Sequence, residues 1–103
     1  VVITTRPRGY RKQTYGTAHK VLIRRTFGAY PLVAEALITR PQRYNAALAQ
    51  LEELERQGRA LVIRPDTMPV QNSTLDTQKL DEAWDLGYIQ AARDLERVIA
   101  FCR

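Results

Sequence analysis

The chain carries one serine, one histidine and one cysteine: Ser73, His19 and Cys102. From such side chains a nucleophilic or metal-assisted reaction would be assembled. A serine hydrolase places its nucleophile on a strained turn, usually inside G-x-S-x-G. Ser73 lies instead in Gln-Asn-Ser-Thr-Leu-Asp, with no glycine near it, and reads as a turn or helix-capping serine. His19 stands beside Lys20 in a basic stretch with no partner ligand at metal-binding spacing, so it reads as an exposed or half-buried histidine. Cys102 continues an apolar helical stripe and reads as a small core hydrophobe; a reactive thiolate needs an open, electropositive site and a base. The lone cysteine forms no internal disulfide, which is compatible with a reducing compartment. Neither G-x-G-x-x-G nor a Walker-type loop is present. We therefore expect no catalytic residue, no cofactor and no metal site in this chain.

The charges are distributed unevenly. Residues 1–43 hold nine basic residues against one acid, Glu35, a net +8; residues 44–103 hold seven basic and ten acidic residues, a net −3. Tyr10, Tyr15, Phe27 and Tyr30 are interleaved with the basic excess. Arg6, Arg8, Arg11, Lys12, Lys20, Arg24 and Arg25 are the candidates for anion or lipid contact. The competing reading is a solvated surface, or a basic face set against an acidic neighbouring domain. The acids Glu52, Glu53 and Glu55, and again Asp81, Glu82 and Asp85, recur at helix-surface spacing and read as solvated faces. Trp84 and the tyrosines read as packing residues rather than a ligand cage.

These residues have to be positioned by one small domain, since 103 residues support a single core. The β-branched run at 1–5 predicts a strand stopped by Pro7 and Gly9. A helix is expected over about 17–27, capped by Thr17, with Ala18, Val21 and Leu22 on its inner face. Pro31 suits the first turn of a helix over 31–40, lined by Val33, Ala36 and Leu37 and ending before Pro41. A third helix is expected over 41–57, with Tyr44, Ala47, Leu48, Leu51 and Leu54 inward and Gly58 as its stop. Residues 59–64 form a continuous apolar run bounded by arginines, as in a strand buried on both faces. A helical region over 78–102 follows, interrupted at Gly87. Along it Trp84, Tyr88, Ala91, Leu95, Val98 and Cys102 alternate at four and three, an apolar seam.

The expected fold is α/β and mostly helical, with two short parallel strands in the order β-α-α-α-β-α-α. Helical connections favour parallel pairing. Two strands do not make a stable sheet alone, so the pair is expected to complete a larger sheet or a dimer. No stretch reaches the eighteen or so apolar residues of a membrane span. The chain begins with Val rather than Met, as a fragment of a longer protein would.

Several segments, taken together, resemble the region that follows the catalytic domain in bacterial patatin-like phospholipases. They are Ile3-Thr4-Thr5-Arg6-Pro7 with Gly9-Tyr10-Arg11-Lys12; Tyr30-Pro31 before Val33, Glu35, Ala36 and Leu37; Arg43-Tyr44-Asn45; Val62-Ile63-Arg64-Pro65; and Leu86-Gly87-Tyr88. Pro41 departs from the pattern, where a polar or charged residue is expected. The resemblance implies a parent that hydrolyses acyl esters with a Ser–Asp dyad, its serine in G-x-S-x-G and its aspartate in Asp-Gly. Neither motif occurs in this chain, so no catalytic residue carries over. It further implies a single C-terminal accessory domain over 1–103, whose partner is the catalytic patatin domain of the same parent. An anionic phospholipid surface and a second copy are further expected partners, in a cytoplasmic setting peripheral to the inner membrane.

Two other functions compete. Helices at 17–27 and 31–40 could imitate a DNA-binding helix-turn-helix, but the second offers little beyond Glu35, Thr39 and Arg40 to read base edges, which disfavours nucleic acid. An oligomerisation domain would use the seam at 84–102.

Overall fold

The computed structural model describes residues 1–103, in the order β1 (Val2–Ile3), α1 (Thr17–Thr26), α2 (Pro31–Arg56), β2 (Val62–Ile63) and α3 (Thr77–Cys102). The fold class is the expected one: a mostly helical chain with two short strands. The strands pair in parallel, Val2 with Val62 and Ile3 with Ile63. Both are shorter than the runs at 1–5 and 59–64 that predict them.

The packing divides the chain into two compact units. One comprises Val1–Tyr10 and Leu54–Arg103; it holds the sheet, the last turn of α2 and all of α3. The other comprises Arg11–Glu53, with α1 and most of α2. In the first unit Val62 is the buried apolar side chain, and in the second Ala34, Ile38 and Pro41 are.

Two expected helix breaks are absent. The helices at 31–40 and 41–57 run on as one, through Pro41. A proline inside a helix removes a hydrogen bond and crowds the preceding turn, at about 3 kcal/mol. Here the proline ring is buried. Nearby carbonyls find side-chain donors: the Thr39 hydroxyl donates to Glu35 O at 2.7 Å and the Arg43 guanidinium to Ala36 O at 2.8 Å. Gly87 likewise lies inside an unbroken α3, where a glycine costs only about 1 kcal/mol relative to alanine.

The ends follow local chemistry. Tyr30 O accepts from Val33 N and Ala34 N at the start of α2, where Pro31 has no N–H to leave unpaired. Gly58, at φ +70°, turns the chain out of α2, and Arg59 N and Ala60 N both return to Leu54 O. Asp76 caps α3, its carboxylate accepting from Gln78 N and Lys79 N. At α1 the capping position is Gly16 rather than Thr17, with no side-chain bond.

Three inner faces differ from the periodicity. On α1, Ile23 and Phe27 are half-buried while Ala18, Val21 and Leu22 are exposed. On α2, Ala34 and Ile38 are buried with Leu37 half-buried, one position on from the expected Val33, Ala36 and Leu37. On α3 the apolar seam lies at the surface except for the half-buried Val98, so Trp84, Tyr88 and Cys102 are not core residues. The face that α3 turns inward carries Ala83, Gln90, Asp94 and Val98.

Candidate functional site

In the first unit, β2 delivers Arg64 and then Asp66 to the mouth of a cleft of about 440 Å³. Arg8 enters from the loop after β1 and Glu55 from the last turn of α2. The opposite wall is α3, where Gln90, Arg93, Asp94 and Arg97 recur at helical spacing and so share one side.

Every carboxylate in the cleft is matched by arginine. Arg64 grips Glu55 with both guanidinium nitrogens, each at 2.8 Å, the bidentate geometry that gives strong ion pairs. Arg8 adds a longer contact to Glu55, 3.2 Å. Asp94, the one buried charged residue, accepts from Arg97 at 3.0 Å and Arg93 at 3.4 Å. Arg93 also reaches Asp66 at 2.7 Å. Gln90 fastens β2 to α3: its Nε2 donates to Arg64 O, and its Oε1 accepts from Asp66 N at 3.2 Å.

The titration of these groups follows. Hydrogen bonds from Arg64 hold the Glu55 carboxyl below the usual carboxylate range, against a smaller opposing effect of burial. Burial pushes Asp94 upward, but the combined hydrogen bonds and charges of Arg97 and Arg93 leave it lowered. The Asp66 bond, with help from Asp94, raises Arg93.

The cleft thus works as a clasp. Four arginines face three acids, and the donors that would seize an outside anion are largely committed within it. Ser73, His19 and Cys102 do not line it. Ser73 lies in a turn closed by Thr74 N to Gln71 O. His19 stacks on Tyr15 with ring centroids 5.0 Å apart. Cys102 is exposed at the end of α3. No group of three or more His, Cys, Asp or Glu side chains is placed to hold a metal ion.

The seven basic candidates are divided between the units. In the first, Arg6 lies over the Tyr10 ring at 5.1 Å and Arg8 joins the clasp. In the second, Arg11 pairs with Glu52 at 2.7 Å, and that bond raises its guanidinium. Lys12 lies over the Tyr44 ring at 4.8 Å, and Arg24 pairs with Glu35 at 2.9 Å. Lys20 and Arg25 stand on α1. Much of the local positive excess is therefore met by acids and rings. Sequence reasoning missed Asn45, whose amide accepts from Lys12 N at 2.8 Å and donates to Lys12 O at 2.9 Å, fixing the basic arm to α2. It also missed Gln90. Neither residue type carries a distinguishing spacing signal.

A second, apolar groove of about 380 Å³ lies beside the sheet, lined by Ile3, Ile63, Met68, Pro69, Leu86 and Ile89 among others. Next to it the sheet is open. Val2 N and Thr4 N donate to Leu61 O and Ile63 O, so Ile3 between them turns its own N–H and C=O the other way, where the two-stranded sheet has no further strand.

The clasp and the open-edged groove describe a small module with a braced interior and an uncovered apolar margin. The chain belongs to the family described as Domain of unknown function (DUF6363), which matches residues 30–103. No curated protein matches the chain, and no solved structure does.

Proposed function

We propose that this chain is a non-catalytic C-terminal domain of a patatin-like lipid acyl hydrolase, a phospholipase, and that it docks on and supports the catalytic domain of the same parent. The observation that carries the reading is its uncovered apolar surface. Three aliphatic residues, Ala34, Ile38 and Val62, and the ring of Pro41 are buried, whereas seventeen large hydrophobic residues are exposed. The accessible surface is 8162 Å²; a folded monomer of 11.8 kDa ordinarily exposes roughly 5,900 Å². The excess, about 2,200 Å², is on the scale of a permanent interface.

The open edge of β1 and the groove beside it are where a catalytic sheet would be continued. The segments from Ile3-Thr4-Thr5-Arg6-Pro7 to Leu86-Gly87-Tyr88 support the choice of a patatin-like parent. That parent would be cytoplasmic and peripheral to the inner membrane. Lys20 and Arg25 on α1 are the groups of this domain best placed to meet anionic lipid; no helix is long and apolar enough to cross a membrane.

The parent reading frame tests the first part. It should encode G-x-S-x-G and then Asp-Gly, and deleting residues 1–103 should lower phospholipid hydrolysis and destabilise the remainder. A frame without those motifs would refute the assignment. Liposome flotation at low and high salt tests the second part: binding should require anionic lipid and weaken with salt. Equal binding to neutral vesicles, or none, removes the lipid contact.

A further inference from the structure

In the second unit α1 ends at Thr26 and α2 begins at Pro31. Across that turn the chain reads Phe-Gly-Ala-Tyr-Pro-Leu-Val, from Phe27 to Val33. The stretch carries no charge, and its one polar side-chain atom is the Tyr30 hydroxyl. Water nevertheless reaches most of it: Tyr30 is 66 % exposed, Leu32 85 % and Val33 45 %. Leu32 therefore gains almost nothing from folding, because a leucine left in water forgoes its burial energy.

The turn is closed on itself. Phe27 N donates to Ile23 O, Tyr30 N to Phe27 O, and Val33 N and Ala34 N both to Tyr30 O. Pro31 has no N–H to satisfy. A turn whose donors are largely bonded internally can enter a medium without water at little cost, which an open strand edge cannot. Just behind the turn, Arg24 Nε donates to Glu35 Oε1 at 2.9 Å and ties α1 to α2.

Basic side chains collar this apolar tip. Arg24 and Arg25 occupy the last turn of α1, with Lys20 one turn behind them. Glu35 is the only acid in residues 1–51. Arg24 already engages it, so Lys20 and Arg25 keep their charge without an acidic partner. We propose that the α1–α2 turn is a membrane-inserting tip: Tyr30, Leu32 and Val33 enter the acyl boundary of an anionic bilayer, and Lys20 and Arg25 hold its headgroups. This rests on the lipid contact proposed above and supplies the apolar part of it.

The combination of features selects the occupant. A nucleic acid would use the basic groups and leave Leu32 in water. An apolar patch on another protein would cover Leu32 and leave the cations unmet. A bilayer surface presents acyl chains and anionic headgroups side by side. Tyrosine, with an apolar ring and a polar end, suits that boundary. Three side chains bury little area, so binding is reversible and depends on the apolar and the basic parts together.

Co-flotation of the chain with phosphatidylcholine vesicles, with and without phosphatidylglycerol, tests this. Binding should require phosphatidylglycerol. Leu32→Ser leaves every charge in place and should weaken binding at least about tenfold; Arg25→Gln should weaken it about fivefold. Circular dichroism should be unchanged in both, because both positions are exposed. Insertion is read separately by Tyr30→Trp in a Trp84→Phe background. Its indole emission should shift to the blue on anionic vesicles and be quenched by bromines on the acyl chains. Binding indifferent to Leu32→Ser, or an indole neither shifted nor quenched, overturns insertion and leaves the headgroup contact standing. Binding that ignores Arg25→Gln, or no binding to either vesicle, overturns both.

Discussion

Replacing Glu55 by Gln isolates the strongest ion pair of the clasp. Arg64 is 11 % exposed and Glu55 20 %, and both of their contacts are 2.8 Å. A hydrogen bond to a charged group contributes about 1.5–3 kcal/mol net. The amide of Gln keeps one acceptor for Arg64 but loses the charge and the second bond, leaving a largely buried guanidinium half satisfied. The expected cost of Glu55→Gln is about 2 kcal/mol, or a fall of roughly 10 °C in Tm for a chain of this size. Arg8 is 70 % exposed at 3.2 Å from the same carboxylate, so Arg8→Ala should cost less than about 1 kcal/mol. Urea denaturation followed by circular dichroism measures both, with the m-value expected to stay constant. The pH dependence supplies a second reading. The Glu55 carboxyl is lowered in the folded chain, so its stabilisation is complete above the unfolded carboxylate pKa of about 4.3 and is lost as pH falls through the lower folded value. The gap between wild type and Glu55→Gln should therefore be widest at neutral pH and close in acid. A substitution within about 0.5 kcal/mol of wild type at pH 7, or a gap that widens as pH falls, would refute the clasp as a stabilising element.

Three further outcomes are expected. Gly58→Ala forces a side chain into the φ +70° conformation and should destabilise by about 1–2 kcal/mol in thermal unfolding, with Gly58→Asn milder. Asp76→Ala removes the cap that accepts from Gln78 N and Lys79 N; it should cost about 1 kcal/mol, and hydrogen exchange should quicken in the first turn of α3 while the second half is unaffected. Pro41→Ala should stabilise by about 1–2 kcal/mol, because the restored helix propensity of roughly 3 kcal/mol exceeds the packing lost from a buried ring; urea midpoints check the sign.

The elements were legible because local chemistry marks them. Pro31, Gly58 and the polar segment before α3 punctuate the chain wherever the backbone must turn, and the β-branched runs at Val2–Ile3 and Val62–Ile63 mark the strands. Parallel pairing followed from the helical connection between them. Pro41 and Gly87 misled for one reason: a breaker's cost of about 1–3 kcal/mol is local, and long helices absorb it when packing or side-chain donors compensate. Of the clasp, only Arg8 stood among the candidate residues. Glu55 read as one acid on a solvated face, and Gln90 carried no signal.

By itself the sequence determined the order of elements, the absence of G-x-S-x-G and Asp-Gly, and the apolar stripe of α3 at alternating spacings of four and three, since each depends on residue types at short separations. Only the tertiary structure decided which side of each helix turns inward. Periodicity defines a stripe but not its direction; that depends on what the rest of the chain can cover. Here the chain covers the side of α3 that carries Asp94 and leaves Trp84, Tyr88, Leu95 and Ile99 facing outward. The same limit applied to the arginines, whose number was plain in the sequence but whose partners, up to 47 residues away in the case of Arg8 and Glu55, were set by the fold.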